Sequence, residues 1–387
     1  MVTREENESL TRVGKGTPGG EFLRRYWHPV VAAAELTEEI PIKAVQLLDE
    51  KLVVYRDTTG AYGLVAEQCP HRRASLAYGR VDDEGIRCPY HGWKFDAEGN
   101  CLETPAEPNG STLKDSICQP AYPLERLGGL LFAYLGPLPA PALPHWDVLA
   151  WECGQRWVQR HSVLNCNWLQ AMENSVDPSH LYWLHGQTAH LAPAVDHYEE
   201  AHDFTTFDHG IMKRRTSEGE EGARVDQHPL LFPTILRHVF KSRDTGKMMH
   251  NLQYRVPMDD THTQIFMVLF APDEVTRTPP DSDTPFEYVD MRDEDGAYRL
   301  DFVLAQDVMA WETQGPVADR SQEQLGAEDR GIHIFRKLVA EQIETVAEGG
   351  APLGVNADGA DDEVIELEVI NQRIGLTRPR TEIVVEV

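Results

Sequence analysis

Two short motifs constrain this chain more than any other feature: Cys69-x-His71 and, seventeen residues beyond it, Cys88-x-x-His91. Both lie in stretches rich in Pro, Gly and Trp, namely Cys69-Pro70-His71-Arg72 and Cys88-Pro89-Tyr90-His91-Gly92-Trp93. Two loops that each offer one soft thiolate and one imidazole make a four-ligand metal site. The fold must therefore bring two tight, Pro- and Gly-bearing turns face to face.

A structural zinc site is the competing reading. Zinc fingers, however, usually pair Cys with Cys and His with His at each end. A mixed pair in each loop suits a [2Fe–2S] cluster with both thiolates on one iron and both imidazoles on the other, which is the Rieske ligand set. The sequence favours the cluster over zinc.

The chain of 387 residues is long enough for two domains with cores of their own. A formal net charge of −27 argues against nucleic acid or an anionic membrane surface as partner. Solubility accounts for such acidity, and charge alone does not establish an electropositive redox partner. The start, Met1-Val-Thr-Arg-Glu-Glu-Asn-Glu, lacks a signal-peptide layout. No uninterrupted apolar run approaches the ~18 residues of a membrane span, so a cytoplasmic location is expected. Cys101, Cys118, Cys153 and Cys166 show no paired framework and read as reduced, partly buried thiols.

The organisation reads as α+β. Residues 4 to 27 form a helical, charged lead-in, so that 1–27 precedes the first domain. Within it Gly14-Lys15-Gly16-Thr17-Pro18-Gly19 is a literal G-x-G-x-x-G. It follows no apolar strand and contains Pro18, so it is read as a loop and not a dinucleotide fingerprint. Short strands alternate with turn signals from about Val30 to Tyr134, predicting a small antiparallel β domain over 28–137 that carries the cluster loops. Gly136-Pro137-Leu138-Pro139-Ala140-Pro141 acts as a linker. In 138–387 a helix pair is expected over 164–184 and strands near 202–217, 234–241, 249–256 and 262–271. Helices near 301–312 and 331–347 complete a second domain built on an antiparallel sheet.

Asp177-Pro178-Ser179-His180-Leu181-Tyr182-Trp183-Leu184-His185-Gly186 reads as a second metal site. Asp177 followed by Pro178 would equally serve to start a helix. Residues five apart on an ideal helix are splayed by about 140°. His180 and His185 can share a metal only if the helix ends or bulges between them, and Gly186 is the expected stop. Two histidines plus a carboxylate form the facial triad of non-haem ferrous oxygenases. Asp307, on the apolar stretch Leu304 to Trp311, is the candidate acid, because a buried carboxylate needs a partner. Asp301 and Glu312 are rival acids, and His190 is a rival imidazole.

Taken in order, Cys-x-His, Cys-x-x-His and Asp-x-x-His-x4-His resemble the large subunit of Rieske non-haem iron oxygenases. Thr11 to Trp27, Cys69 to Ala74, and Gln306-Asp307 followed by Gln314 to Arg320 are similar to the branch holding phthalate dioxygenase and the aromatic O-demethylases. Ile211 to Arg215 with His228-Pro229-Leu230 and Phe232-Pro233 look most like the dehydrodivanillate O-demethylase type. The resemblance implies a helix-grip catalytic domain and a head-to-tail homotrimer, or a hexamer built from trimers. By position, Cys69, His71, Cys88 and His91 would hold the cluster, and His180, His185 and Asp307 the mononuclear Fe(II). Asp177 would bridge His91 of a neighbouring subunit to His180, and Asn174 would be an iron-facing amide.

The resemblance further implies O2 as co-substrate and a separate flavin and ferredoxin reductase drawing on NADH or NADPH, since the chain shows no flavin or nicotinamide site. The expected reaction is O-demethylation of a methoxylated aromatic acid with release of formaldehyde. Cis-dihydroxylation of an aromatic carboxylate such as phthalate is the alternative. A structural zinc protein and a pure Rieske electron carrier are the alternatives of another class. Lys213, Arg214 and Arg215, on an expected strand, are candidates to hold an aromatic carboxylate. Phe232, Phe266 and Trp311 are candidates for aromatic packing around the ring.

Overall fold

The computed structural model describes residues 2–187, 200–218, 222–242, 245–355, 363–372 and 376–378. Between Trp27 and Tyr134 the chain forms three small antiparallel sheets. One joins Trp27–Ala32, Leu130–Tyr134 and Leu124–Leu127; a second joins Ile42–Leu47, Glu50–Arg56 and Tyr62–Ala66. The third runs Arg80–Asp82, Gly85–Arg87, Lys94–Phe95 and Cys101–Glu103. Val53, Tyr55, Val65, Leu76, Ile86, Trp93 and Phe95 pack together with Cys69 and Cys88, so the two cluster loops grow out of a single small core.

A fourth, large sheet has ten strands. Its order is Glu200–Phe207, Gly210–Ser217, Arg224–Leu231, Ile235–Lys241, Met248–Asp259, His262–Arg277, Cys153–His161 and Phe286–Val289. Val369–Asn371 and Leu376–Arg378 attach beside Arg224–Leu231. Every pairing is antiparallel except Phe286–Val289 on Cys153–His161. Because side chains alternate along a strand, the sheet buries two distinct faces. Ile265, Met267 and Leu269 pack on Leu304, Val308 and Trp311 of the helix Val303–Glu312. Phe266, Val268 and Phe270 enter the main core shared with Trp27–Ala32 and Leu130–Tyr134. The long helix Arg330–Ala347 buries Phe335, Val339, Ile343 and Val346 along one stripe of that core.

The two parts are tied by backbone. The turn after Leu47 places Leu48 and Asp49 at φ of 50° and 65°, the pairing that a two-residue hairpin with native twist requires. Their N–H groups donate to Pro257 O at 3.0 Å and Met258 O at 2.8 Å, which docks the hairpin tip on the large sheet. The lead-in is not one helix but two, Arg4–Thr11 and Pro18–Leu23. The expected loop ends at Thr17, whose hydroxyl accepts from Gly20 N and caps a helix with Pro18 in first position. Asn7 and Val13 then bond Ala318 O and Asp260 Oδ1, anchoring the lead-in to the larger part.

Five strands of the large sheet were not foreseen, Cys153–His161, Arg224–Leu231, Phe286–Val289, Val369–Asn371 and Leu376–Arg378, and the stretch 202–217 is a hairpin of two strands rather than one. Among the described residues, no helix is long and apolar enough to cross a membrane.

Candidate metal centres

The two cysteine loops close in the same way. Cys69 N–H donates to Ala74 O at 2.9 Å, and Arg73 N–H donates back to Cys69 O at 2.9 Å. Cys88 N–H bonds Trp93 O at 2.8 Å, and Gly92 N–H donates to Cys88 O at 3.1 Å. The fourth residue after each Cys takes a left-handed backbone, φ 62° at Arg73 and 73° at Gly92. Cys69 and Cys88 are buried, whereas His71 is exposed and His91 half-buried. The imidazole rings meet edge to face with centroids 4.5 Å apart, and His71 stacks on Trp93 at 4.3 Å.

These residues fit a cluster. Burial pushes the Cys69 thiol up to about 12, with the neighbouring Cys88 adding to it, so this thiol sits where a bound cation would ionise it. His91 Nδ1 is a buried nitrogen with no hydrogen-bond partner among the described residues. Around a single zinc, ligand atoms ~2.0–2.3 Å from the ion would lie within ~4 Å of each other. Among the described residues, the set whose ligand atoms all fall within 4.8 Å is His180, His185 and Asp307, not the Cys–His quartet. The wider spacing suits a two-iron group between the loops.

His180 and His185 come together because the helix breaks. The α-helix His180–Trp183 gives way to a 3-10 turn at His185–Gln187, so the stop comes before Gly186, which lies inside the turn. The rings are 5.2 Å apart and nearly perpendicular, at 81°. Asp307 Oδ1 lies 3.2 Å from His185 Nε2 and 3.8 Å from His180 Nε2, and Asn174 Nδ2 donates to the same oxygen at 3.3 Å. His185 Nδ1 donates to Gln306 Oε1 at 2.8 Å, and Gln306 Nε2 donates to Leu300 O at 2.6 Å. That chain keeps the proton on Nδ1 and leaves Nε2 bare as a ligand. The trio fits a single metal ion.

Asp177 stands behind His180. Its Oδ1 accepts from Ser179 N at 2.9 Å and Ser179 Oγ at 2.7 Å, and its Oδ2 lies 3.5 Å from His180 Nδ1. Burial would raise this carboxyl, but His180 and Ser179 together hold it down to about 2. The rival acids are elsewhere. Asp301 is exposed, and Glu312 is held by Asn165 N, Arg292 and Tyr298. His190 lies outside the described residues.

The expected substrate residues divide. Lys213 and Arg215 lie on the same face as His228 and Asp226, their direct cross-strand partners, whereas Arg214 is exposed on the other face. Arg214 is therefore corrected to a surface residue. Arg215 is committed to Asp226 at 2.7 Å. Phe232 packs among Phe22, Tyr26 and Phe335, and Phe266 lies under Arg160 in the core on the opposite face from Asp307; both are core residues and not ring contacts. Trp311 is buried one helical turn past Asp307, with the Arg255 guanidinium 4.5 Å above its ring, and it too is packing.

Sequence reasoning missed Gln306 as an orienting group, the buried Arg255 and the Asp226–His228 pair. Gln306 carried one signal, its place directly before Asp307. Arg255 and Asp226 carried none, since charged residues in a strand read as solvent-facing.

Comparison with known proteins agrees with this geometry. The profile described as a Rieske [2Fe-2S] domain matches residues 26–123, and the LigXa C-terminal domain like profile matches 288–373. The chain is 40% identical to the 5,5'-dehydrodivanillate O-demethylase oxygenase subunit of Sphingobium sp. (strain NBRC 103272 / SYK-6), over 96% of this chain and 88% of that protein. It is 31% identical to the phthalate 4,5-dioxygenase oxygenase subunit of Pseudomonas putida, over 96% and 92% respectively. The solved structure of NdmA from Pseudomonas putida CBB5 shares the fold with a TM-score of 0.66 at 22% identity, covering 88% of this chain and 98% of that one. With its paired Cys–His loops and its broken helix facing Asp307, the chain belongs to the oxygenase subunits of the Rieske non-haem iron oxygenases.

Proposed function

We propose that this chain is the oxygenase subunit of a multi-component enzyme that removes a methyl group from a methoxylated aromatic acid, with electrons arriving from a separate reductase. The observation that carries this reading is the meeting of His180, His185 and Asp307 within 4.8 Å, with Asp177 behind His180. Similarity to a relative named as a dehydrodivanillate O-demethylase supports the reaction class. Cys69, His71, Cys88 and His91 would hold the [2Fe–2S] cluster, and His180, His185 and Asp307 the mononuclear iron. When bound, the cluster supplies electrons singly and the iron supplies a site for O2.

The chain's own residues set the conditions. Gln306 fixes the tautomer of His185, and Asn174 holds the Asp307 oxygen by hydrogen bond. Asp177 keeps a negative charge beside His180 while its side chain remains a quarter exposed, and Trp183 on the same short helix as His180 is exposed. His71 lies at the surface of the smaller β part with exposed Tyr90 nearby. Such a pair of surfaces supports a head-to-tail trimer in which His91 of one copy faces Asp177 of the next, and head-to-tail contacts that close make a ring. Lys213 brings positive charge to the sheet face that packs toward the helix Val303–Glu312, where the aromatic substrate would sit. Domains of 28–137 and 138–387 after a lead-in of 1–27, a flavin and ferredoxin reductase fed by NADH or NADPH, and a cytoplasmic location complete the proposal.

The second reading, cis-dihydroxylation of an aromatic carboxylate, is favoured by similarity to the relative named as a phthalate 4,5-dioxygenase. A panel of methoxylated and unmethoxylated aromatic acids, driven by a surrogate reductase, separates the two. Formaldehyde formed in step with oxygen uptake supports demethylation. A dihydrodiol without formaldehyde overturns it.

A further inference from the structure

On the strand pair Gly210–Ser217 and Arg224–Leu231, Lys213 sits directly opposite His228 and Arg215 directly opposite Asp226. Directly opposed side chains share a face with Cβ atoms ~5 Å apart. The Asp226 carboxylate is the hub: Arg215 Nη2 donates to Oδ2 at 2.7 Å, and His228 Nδ1 lies 2.8 Å from Oδ1. A carboxylate at that distance keeps the proton on Nδ1, because a bare nitrogen there would repel it. His228 Nε2 is then a bare acceptor. The ring is 2% exposed, stacks on His238 at 4.1 Å, and Nε2 has no hydrogen-bond partner among the described residues. A buried acceptor left unpaired is costly, which points to a ligand.

Lys213 is the second independent observation. It is half-buried, and the acid opposite its neighbour is already shared between Arg215 and His228. Register carries this face from His228, stacked on His238, through Asn251 to Leu269, which packs with the helix Val303–Glu312 that bears Asp307. Burial draws the Lys213 pKa down to about 8, against the pull of Asp226 and Asp177. A cation and a bare acceptor side by side ask for a group that both donates and accepts. A carboxylate has no proton for Nε2, and a methyl ether has none either. Burial also lowers the His228 pKa, which opposes the protonation that carboxylate binding would need.

We propose that Lys213 and His228 form a recognition subsite for a phenolic hydroxyl on the aromatic substrate, with the hydroxyl donating to His228 Nε2 and its oxygen accepting from the Lys213 ammonium. Asp226 is a positioning residue that fixes the His228 tautomer. The inference rests on the reading that this face receives an aromatic acid, and it narrows the class to phenols.

Equilibrium dialysis of the anaerobic, oxidised holoenzyme tests it with two probes that share a carboxylate, 4-hydroxy-3-methoxybenzoate and 3,4-dimethoxybenzoate. Wild type should bind the phenol about tenfold tighter. His228→Phe should erase that preference while still binding the dimethoxy acid. His228→Gln, whose amide oxygen is an acceptor near the Nε2 position, should keep most of it. Retained Rieske absorbance in each variant reports folding. Equal wild-type affinity for the two acids, or an undiminished preference in spectroscopically intact His228→Phe, overturns the subsite alone. Binding of neither acid by wild type overturns the aromatic-acid reading and the subsite with it.

Discussion

His185 Nδ1 and Gln306 Oε1 lie 2.8 Å apart, so the helix Val303–Glu312 offers one candidate ligand through Asp307 and orients another through the residue before it. Removing that acceptor frees the imidazole to rotate or change tautomer. Gln306→Leu should lower affinity for the mononuclear iron by about 10–100-fold and leave the cluster absorbance unchanged. Ferrous titration of the apo site, followed beside the visible spectrum, checks both halves.

Asp177 holds its charge beside His180 without belonging to the trio around Asp307. Asp177→Asn keeps an oxygen for the Ser179 N–H and removes the charge. Both kinds of iron should remain bound, while substrate oxidation slows by at least about tenfold. Metal analysis paired with single-turnover product formation tests this, and full coupled activity in the variant would refute the bridge.

Cys101 belongs to the same small core as Cys69 and Cys88, yet its thiol faces Glu103 O at 3.6 Å and not the paired loops. Cys101→Ser should therefore retain the cluster, whereas Cys88→Ser should lose it. Acid-labile sulfide in the two purified variants distinguishes them.

What could be read from the sequence was mostly local. The Cys–His loops declare themselves because ligand spacing and turn residues sit within a few positions of one another. The broken helix at His180 followed from geometry, since five-residue spacing forbids a shared metal on a regular helix. The strand Arg224–Leu231 was hidden because Asp226 and His228 point inward, and Cys153–His161 because Arg156 is buried, bonding Val148 O at 3.2 Å and Thr278 O at 3.0 Å. Phe266 was misassigned for a related reason. Alternation shows that Phe266 and Met267 face opposite ways, but which face meets Asp307 depends on helix packing far along the chain.

Glu173 is buried and clasped by Arg320 at 2.8 Å and Arg336 at 2.5 Å, joining the helix Trp168–Asn174 to Arg330–Ala347. Burial would raise its carboxyl, but the two guanidinium groups hold it below the ordinary glutamate value. A carboxyl lowered in the folded state contributes stability that is complete above its unfolded pKa of about 4.3 and is lost as pH falls through the lower folded value. Glu173→Gln leaves the buried Arg320 without a carboxylate, while Arg336 keeps Glu323 at 2.7 Å, and should cost about 3–5 kcal/mol at neutral pH. Denaturant midpoints between pH 3 and 7 should show a large gap between wild type and variant at pH 7 that narrows toward the acid end.

One chain would hold a two-iron cluster between its Cys–His loops and a separate iron at His180, His185 and Asp307. Iron and acid-labile sulfide counted on anaerobically purified protein, with and without His185→Ala, tests it most directly. Two sulfides with two irons in the cluster are expected, with one further iron that His185→Ala alone removes. Zinc in place of iron at the loops, no labile sulfide, or an iron count unmoved by that substitution would contradict it.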